Sequence, residues 1–124
     1  MSHSDWLKAL QTVFNAYIRQ RDHALPCISC GTHKGQRHAG HYRSVGSTPE
    51  LRFNEDNVHA QCATCNNHLH GNLIEYRKGL VDRIGLERVE ALENFTGSSK
   101  MTVEEIKEKI QEYKEKIKAI KIKL

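Results

Sequence analysis

The sequence lacks any long apolar run and has few aromatic side chains. Of its 124 residues, 38% are hydrophobic and only 6% are Phe, Trp or Tyr. No stretch approaches the roughly 20 apolar residues that a membrane-spanning helix needs. Residues 1–8 are polar apart from Trp6 and Leu7, so they do not form an apolar signal segment. These absences argue against a membrane partner, and we expect a cytoplasmic protein.

The low hydrophobic content also limits the size of the core. A chain of this length has room for one modest core, and such chains often need a metal or a partner for stability. The four cysteines form two Cys-x-x-Cys pairs, Cys27/Cys30 and Cys62/Cys65. Four thiolates in two such pairs are typical of a closed tetrahedral zinc site, which has no open position for substrate. We therefore expect structural Zn²⁺ rather than disulfides in this compartment.

The 31 residues between the two pairs contain the residues that we expect to carry chemistry. Hydrolysis of a phosphodiester needs a base that is neutral near pH 7, which suits the imidazole of His41. Gly40 before it leaves room for a phosphate, and Asn57 is placed to hydrogen-bond across the loop. A His, then an Asn, then a ligand such as Asn66 beside Cys-x-x-Cys is the order of parts in a zinc-braced HNH nuclease. We predict His41 and Asn57 as catalytic.

A nuclease of this type also needs a divalent cation, Mg²⁺ or Mn²⁺. Asn66 follows the second cysteine pair and offers an amide oxygen. His70 would share a face with Asn66 if that segment were helical. His38 lies on the strand face that the glycine before the base leaves empty. We predict Asn66 with His38 or His70 as ligands of this ion, and we interpret His33 and His59 as surface or core residues.

The net charge of +4 is unevenly placed. Residues 34–54 carry four basic side chains against the single acidic Glu50, and these four are the predicted DNA contacts: Lys34, Arg37, Arg43 and Arg52. Basic groups around a hairpin fit a phosphate-binding surface. Residues 100–124 carry eight lysines and five glutamates, which we interpret as the solvated face of a helix.

The periodicity of apolar residues predicts an α+β fold that is mostly helical. Helices are expected from Ser4 to about Arg21, from an Asn-x-x-Glu capping box at Asn72 to a stop at Gly85, and over 86–92. Strands are expected over 36–43 and 58–61, with a brief return at 51–53. Two short strands followed by a helix are the ββα-metal arrangement. The predicted architecture is a zinc-braced, HNH-like ββα-metal core with flanking helices and a long C-terminal helix.

The Gly97-Ser98-Ser99 linker divides the chain into two predicted parts. Residues 1–96 would form the nuclease domain with its N-terminal helix, and residues 97–124 the linker and a C-terminal helix capped by Thr102. Apolar residues alternate three and four apart along this helix in a heptad pattern: Val103, Ile106, Ile110, Tyr113, Ile117, Ile120 and Leu124. This face would pack either on the first helix of the same chain or on its copy in a homodimer.

Several exact runs of residues resemble a known family. PCISCGT, AGHY, LRFNEDN and QCATCN, followed by GNL, resemble the phage recombination proteins called NinG or Rap, and the resemblance extends from Trp6 to Leu92. It implies a structure-selective DNA endonuclease that cleaves branched recombination intermediates, such as D-loops, Holliday junctions and forks. It also implies a phage or prophage origin and action in a bacterial host cell.

The chain is also similar to HNH and endonuclease VII-type enzymes. This likeness implies that His41 is the base, Asn57 the middle asparagine and Asn66 the last ligand, while Gly40 stands where the first ligand usually lies. Two other functions fit parts of the sequence. One is a non-catalytic, zinc-containing DNA-binding accessory protein of recombination, and the other is an assembly adaptor that works through the heptad helix.

Overall fold

The computed structural model describes residues 1–123, with side chains described through Lys121. The fold is α+β, as predicted, and about half of it is α-helical. The elements follow in the order α1 (His3–Arg21), β1 (Arg37–His41), a 3-10 helix (Pro49–Leu51), β2 (Val58–Cys62), a π-helical turn (Thr64–His68), α2 (Leu73–Ile84), α3 (Leu86–Glu93) and α4 (Val103–Lys123). Of these helices, none combines the length and the apolar character needed to cross a membrane.

Helix α1 begins two residues earlier than predicted. Its N-cap is Ser2, whose side chain accepts a hydrogen bond from the N–H of Asp5, while the Asp5 carboxylate accepts one from the N–H of Ser2. Ser4 was the wrong choice because Leu7, three residues later, cannot return such a bond. The predicted end is confirmed, since Asp22 is the C-cap.

Strands β1 and β2 form an antiparallel hairpin. Its register pairs Arg37 with Cys62 at one end and His41 with Val58 at the other. The predicted return strand at 51–53 is wrong, because the chain forms the 3-10 helix at that point. Proline is favoured in the first turn of a helix, where Pro49 lies, and cannot donate to a strand ladder. The hairpin is therefore the whole sheet of the described chain.

Helices α2 and α3 enclose a second core beside the hairpin. Its buried residues are Ile28, Leu51, Tyr76, Leu80, Val89 and Leu92. Gly85 ends α2 with φ of 91°, as the stop prediction requires. The predicted capping box at Asn72 is wrong, since this residue has φ of 43° and makes no side-chain cap. An N-cap normally has extended backbone, and the left-handed backbone of Asn72 instead places its Nδ2 3.5 Å from Sγ of Cys65.

Helix α4 packs against α1 within the same chain. Thr102 and Glu105 form the predicted capping box at its start. Ile106, Ile110 and Tyr113 are buried in the core that they share with α1. Of the two partners predicted for the heptad face, the first helix is therefore the one that it contacts. Leu124, the last residue of the predicted pattern, lies outside the described residues. A homodimer through α4 would have to use the remaining, charged face of this helix. The division of the chain into two parts at residue 97 stays a prediction.

The carboxylate of Glu55 connects α1, α4 and the loop before β2. It accepts hydrogen bonds from the hydroxyls of Tyr17 and Tyr113, both at 2.9 Å, and from Nζ of Lys116 at 2.8 Å. Burial alone would raise the pKa of Glu55, but these three donors lower it. The long helix at the end of the chain is therefore fixed to the loop that leads into the second strand.

Candidate active site and metal centre

The four cysteines lie together, as their spacing predicted. Cys27 and Cys30 belong to a tight turn in which the N–H of Gly31 donates to the carbonyl of Cys27. Cys62 is the last residue of β2, and Cys65 lies in the π-helical turn that follows. The four Sγ atoms all lie within 4.8 Å of one another. The hairpin thus brings together two pairs that are 31 residues apart in sequence.

The distances between the sulfurs fit a metal rather than disulfides. A zinc ion about 2.3 Å from each of four tetrahedral thiolates places the sulfurs about 3.8 Å apart. Sγ of Cys30 and Sγ of Cys62 are 3.7 Å apart, well beyond the roughly 2.05 Å of a disulfide bond. All four cysteines are free. This donor set can hold a structural metal ion such as zinc.

Neighbouring groups hold the cysteine cluster in place. The N–H of Ile28, inside the first pair, donates to the carbonyl of Ala60 on β2 at 3.1 Å. The guanidinium of Arg37 donates to the carbonyls of Thr32 at 2.7 Å and Lys34 at 3.1 Å, which fixes the loop after the first pair. These contacts, with that of Asn72, orient the ligands from outside, as is usual around protein metal sites.

His41 is the last residue of β1 and is half-buried. Its Nε2 lies 2.9 Å from the carbonyl oxygen of Arg52. A carbonyl only accepts hydrogen bonds, so Nε2 carries the proton and Nδ1 is left as the basic nitrogen. Burial lowers the pKa of His41, opposed by the hydrogen bond to Arg52. The imidazole is consequently neutral near pH 7, as a general base must be.

Asn57 is fully buried and connects the end of the hairpin to the loop between its strands. Its Oδ1 accepts from the N–H of Arg43 at 2.8 Å. Its Nδ2 donates to the carbonyl of Arg43 at 3.0 Å and to that of Leu51 at 3.1 Å. Its own carbonyl accepts from the N–H of Tyr42. Asn57 therefore fixes the backbone that directly follows His41, and its catalytic role stays a prediction.

A cleft of ≈ 400 Å³ gathers several of the predicted site residues. Its lining includes His41 and Arg43 from the hairpin, Asn66 from the π-helical turn and His70 just after it. His70 has φ of 50°, so the segment is not a continuous helix, yet both residues reach the same cleft. Turns of π-helix are frequent at functional sites. The structure thus brings together residues from three segments at one surface.

The third predicted cation ligand, His38, lies beside Asn66 rather than in the cleft lining. Nδ2 of Asn66 is 3.0 Å from Nδ1 of His38, so Oδ1 of Asn66 is the atom left to face a cation. The cleft lining includes no carboxylate. Among the described residues, the cysteine cluster is the only close group of three or more His, Cys, Asp or Glu ligands. A hard cation held here would complete its shell with water or phosphate oxygens.

Three of the predicted DNA-contacting side chains bond to neutral acceptors. Arg37 donates to two backbone carbonyls, Arg43 to the carbonyl of Glu93 and the hydroxyl of Thr48, and Arg52 to the amide of Gln11. None of the three forms an ion pair with the carboxylates of residues 1–121. These three arginines therefore form no direct ion pair with those carboxylates, and the fourth side chain, Lys34, is exposed.

His59 is a core residue, as interpreted from the sequence. It is 3% exposed, and its Nε2 lies 3.1 Å from the carbonyl of Asp56. Burial, together with the nearby charge of Arg21, lowers the pKa of His59 to about 4. The ring is therefore neutral, and its contact with Asp22 is a packing contact rather than an ion pair.

Sequence reasoning missed two buried residues behind the site. The hydroxyl of Tyr76 on α2 donates to the carbonyl of Gly40 at 2.7 Å. Nε2 of Gln61 on β2 donates to the hydroxyl of Ser29 and the carbonyl of Gly71. The sequence offered one signal, the polar Gln61 inside the predicted strand at 58–61. The structure shows that all residues of this strand are buried.

Comparison with known proteins identifies the family. A family model described as "Bacteriophage Lambda NinG protein" matches residues 1–123. The chain belongs to the NinG family. Curated relatives called "Protein ninG" occur in Escherichia phage lambda (50% identical over 105 residues, 84% of this chain and 52% of the relative), Escherichia phage 933W (50% over 103 residues, 82% and 51%) and Salmonella phage P22 (49% over 105 residues, 84% and 52%).

The family assignment confirms the resemblance inferred from the exact runs. The chain spans about half the length of the curated NinG relatives it matches. No solved structure matches it. The names of these relatives state no activity, so the catalytic roles of the site residues in this NinG chain remain predictions.

Proposed function

We propose that this NinG-family chain is a metal-dependent endonuclease that cuts branched DNA. One observation carries the proposal: the hydrogen bond from Nε2 of His41 to the carbonyl of Arg52 leaves Nδ1 as a neutral proton acceptor. A neutral imidazole fixed in this way beside an open cleft is suited to removing a proton from water. The oxygen of that water would then attack the phosphorus as the bond from phosphorus to the 3′ oxygen breaks. The departing 3′ oxygen would take up a proton from solvent, which leaves a 5′-phosphate and a 3′-hydroxyl.

The surrounding residues support His41 in defined roles. Asn57 positions the hairpin end through its three hydrogen bonds to backbone groups. Arg43 contributes a positive charge to the cleft that no carboxylate in its lining offsets. We assign Arg43 to the phosphate next to the scissile bond, with Lys34, Arg37 and Arg52 as further phosphate contacts.

The proposal includes two metal ions with different tasks. We infer that Zn²⁺ occupies the four-cysteine cluster and holds the two ends of the hairpin together. We further infer that Mg²⁺ or Mn²⁺ binds at Asn66, with His38 or His70 nearby. When bound, this ion stabilises charge on the phosphate and on the departing oxygen.

The order of elements supports an HNH-like interpretation of the core. Strands β1 and β2 are followed by the π-helical turn and α2, with the base on the first strand and Asn66 in the turn. We infer that this unit is a ββα-metal core. The branched character of the substrate comes from the resemblance to phage recombination proteins, and a bacterial host cytoplasm would be the place of action.

A non-catalytic DNA-binding role is the second candidate. The observation in its favour is the absence of a carboxylate from the cleft lining, since hard catalytic cations are commonly held by carboxylates. The side chains of Arg37, Arg43 and Arg52 fit this role equally well. It would leave the neutral, oriented imidazole of His41 without a task.

A cleavage assay decides between the two candidates. Linear, forked and four-way DNA of matched sequence would be incubated with the zinc-loaded protein, with and without added Mg²⁺ or Mn²⁺. We expect cutting near the branch that requires the added ion, and little cutting of linear duplex. Tight binding to branched DNA without cutting under any of these ions would reject the nuclease and favour the accessory role.

A further inference from the structure

The turn between the π-helical segment and α2 presents apolar side chains to solvent. Leu69, Leu73 and Ile74 are 51%, 46% and 77% exposed. In the described part of the chain six large hydrophobic side chains are at least 38% exposed, and three of them lie within residues 69–74. A single exposed leucine needs no explanation, whereas a group of them marks an interaction surface.

The backbone of this turn is held in an unfavourable conformation. His70, Gly71 and Asn72 have consecutive φ values of 50°, 93° and 43°. Two of the three are not glycine, and side chains disfavour this left-handed region. Such conformations persist where surrounding structure enforces them, and they are concentrated at functional sites.

Buried groups enforce the conformation from the inside. Gln61, which is fully buried, donates from Nε2 to the carbonyl of Gly71 at 2.6 Å. The N–H of Gly71 donates to the carbonyl of Cys65, and the N–H of Asn72 closes the turn onto the carbonyl of Leu69, both at 2.8 Å. The turn is thus fixed to the hairpin and the cysteine cluster while its apolar side chains remain outside.

The apolar turn is continuous with the candidate active site. Leu73 lines the same cleft as His41 and Arg43, and so does His70 inside the turn. A DNA strand whose phosphate contacts Arg43 would therefore bring its neighbouring bases towards this turn. The ligand that fits both the cleft and the apolar turn is a nucleic acid that offers a phosphate and an accessible base face.

We propose that Leu69 and Ile74, on the two sides of this turn, are a wedge that separates stacked bases at a DNA branch point. This inference rests on the proposed function, because the cleft must engage the scissile phosphate. Leucine and isoleucine are among the side chains that proteins insert between base steps. Base pairs at a branch have lost a stacking neighbour, so opening them costs less there than in continuous duplex. A fixed wedge would make the enzyme select branches by their ease of opening.

The test uses the fluorescence of 2-aminopurine placed at the centre of a four-way DNA, which rises when the base unstacks. Divalent ions other than the loaded zinc are left out, so that no cutting occurs. The wild type is compared with Leu69→Ala/Ile74→Ala. The matched control is Leu25→Ala/Leu86→Ala, which removes two leucines that are 38% and 49% exposed elsewhere. Binding by fluorescence anisotropy and mass by light scattering are recorded for all three proteins.

We expect the fluorescence rise with the wild type and the control, and its loss in the wedge variant. With an interaction of this kind lost, the preference for four-way over linear DNA should fall about tenfold. An equal rise in all three proteins would overturn the wedge. So would a dimer that only the wedge variant fails to form, since the surface would then be an interface between copies.

The outcome for the wedge is separable from that for the nuclease. Unstacking by a wild type that never cuts would support the wedge and reject the nuclease. Cutting without unstacking would support the nuclease and reject the wedge. A wild type that does not bind branched DNA would reject both.

Discussion

Gln61 occupies the space that a side chain at Gly40 would need. A Cβ placed on Gly40 would lie 2.1 Å from Oε1 of Gln61 and 2.9 Å from its Cβ. That Oε1 is buried and has no hydrogen-bond partner in the described chain. HNH-type enzymes usually carry a metal ligand directly before the base, and here no ligand fits at that position. Under the proposed function, a catalytic cation would therefore be held mainly from the side of Asn66.

The first prediction tests this contact by a double-mutant cycle. Gly40→Ala should lower the free energy of unfolding by about 1–3 kcal/mol, because it overpacks a closed site. Its cost should be smaller in a Gln61→Ala background, since Oε1 and Cδ of Gln61 are gone while the Cβ at 2.9 Å remains. Urea denaturation of the four proteins measures both values.

The control for that cycle is Gly46→Ala. A Cβ there meets nothing within 4 Å, so the change in unfolding free energy should stay within about 0.5 kcal/mol. Equal costs for Gly40→Ala in the two backgrounds would show that the amide end of Gln61 is not the obstacle.

The second prediction concerns the base. His41→Ala should slow cleavage by about 10²–10⁴-fold while binding to branched DNA stays near that of the wild type, because the arginine contacts are unchanged. His33→Ala, an exposed histidine of the same stretch, is the control and should cut normally. Rates under single-turnover conditions and anisotropy binding curves measure the two effects. Wild-type cutting by His41→Ala would place the base elsewhere.

The third prediction is the pH profile of cleavage. Burial lowers the pKa of His41 from its usual 6.5, so the neutral base persists below pH 6.5. The logarithm of kcat/KM should therefore be flat above that pH, and it should fall only as the pH drops through the lower pKa. An inflection above pH 6.5 that His41→Ala abolishes would contradict the role of burial.

Loss of folded protein at low pH would also reduce cleavage, and His59 is its expected source. The pKa of His59 is lowered to about 4 by burial, so the unfolded chain binds a proton below pH 6.5 that the folded chain excludes. The contribution of His59 to the free energy of unfolding is then complete above pH 6.5 and declines as the pH falls towards 4. Circular dichroism at each pH separates this loss from titration of the base.

The fourth prediction concerns the cysteine cluster. The purified protein should contain one zinc per chain by metal analysis, and Cys62→Ser should lose it and unfold at a lower temperature, because metal binding is coupled to folding. Thr64→Ser, an exposed change inside the same Cys-x-x-Cys pair, should retain both metal and stability. A folded, zinc-free wild type would refute the structural role of the ion.

The fifth prediction concerns α4. Ile110 is 9% exposed in the core between α4 and α1, so Ile110→Asp should lower the unfolding free energy by about 3 kcal/mol or more through a buried, unpaired charge. Lys114→Asp, on the exposed face of the same helix, should cost little. Thermal denaturation compares the two. If Ile110→Asp instead dissociated a stable dimer into folded monomers, the heptad face would lie between chains.

The parts of the site that local spacing determines could be predicted from the sequence. The two Cys-x-x-Cys turns were sufficient for the cysteine cluster, and the strands expected over 36–43 and 58–61 correspond to those of the hairpin. The partner of the heptad face could not be chosen, because one apolar pattern suits packing within a chain and between chains. Only the structure of α1 beside α4 identifies it.

Local rules failed where distant groups set the backbone. Asn72 has the sequence of a helix cap, yet buried hydrogen bonds from Gln61 and to Cys65 hold its neighbour Gly71 in a left-handed turn. Residues 51–53 have the composition of a strand, yet the amide of Asn57 binds the carbonyl of Leu51 and stabilises a helical turn. Neither contact leaves a periodic trace in the sequence.

The neutral acceptors around the basic residues have a consequence for selectivity. Arg37, Arg43 and Arg52 are each fixed by carbonyl, hydroxyl or amide oxygens before any ligand arrives. Under the proposed function, little side-chain entropy would then be lost when they meet phosphates. The same fixation means that their spacing cannot adapt to the ligand. DNA whose backbone already follows that spacing would bind without distortion, and a strand of different curvature would have to bend to match it.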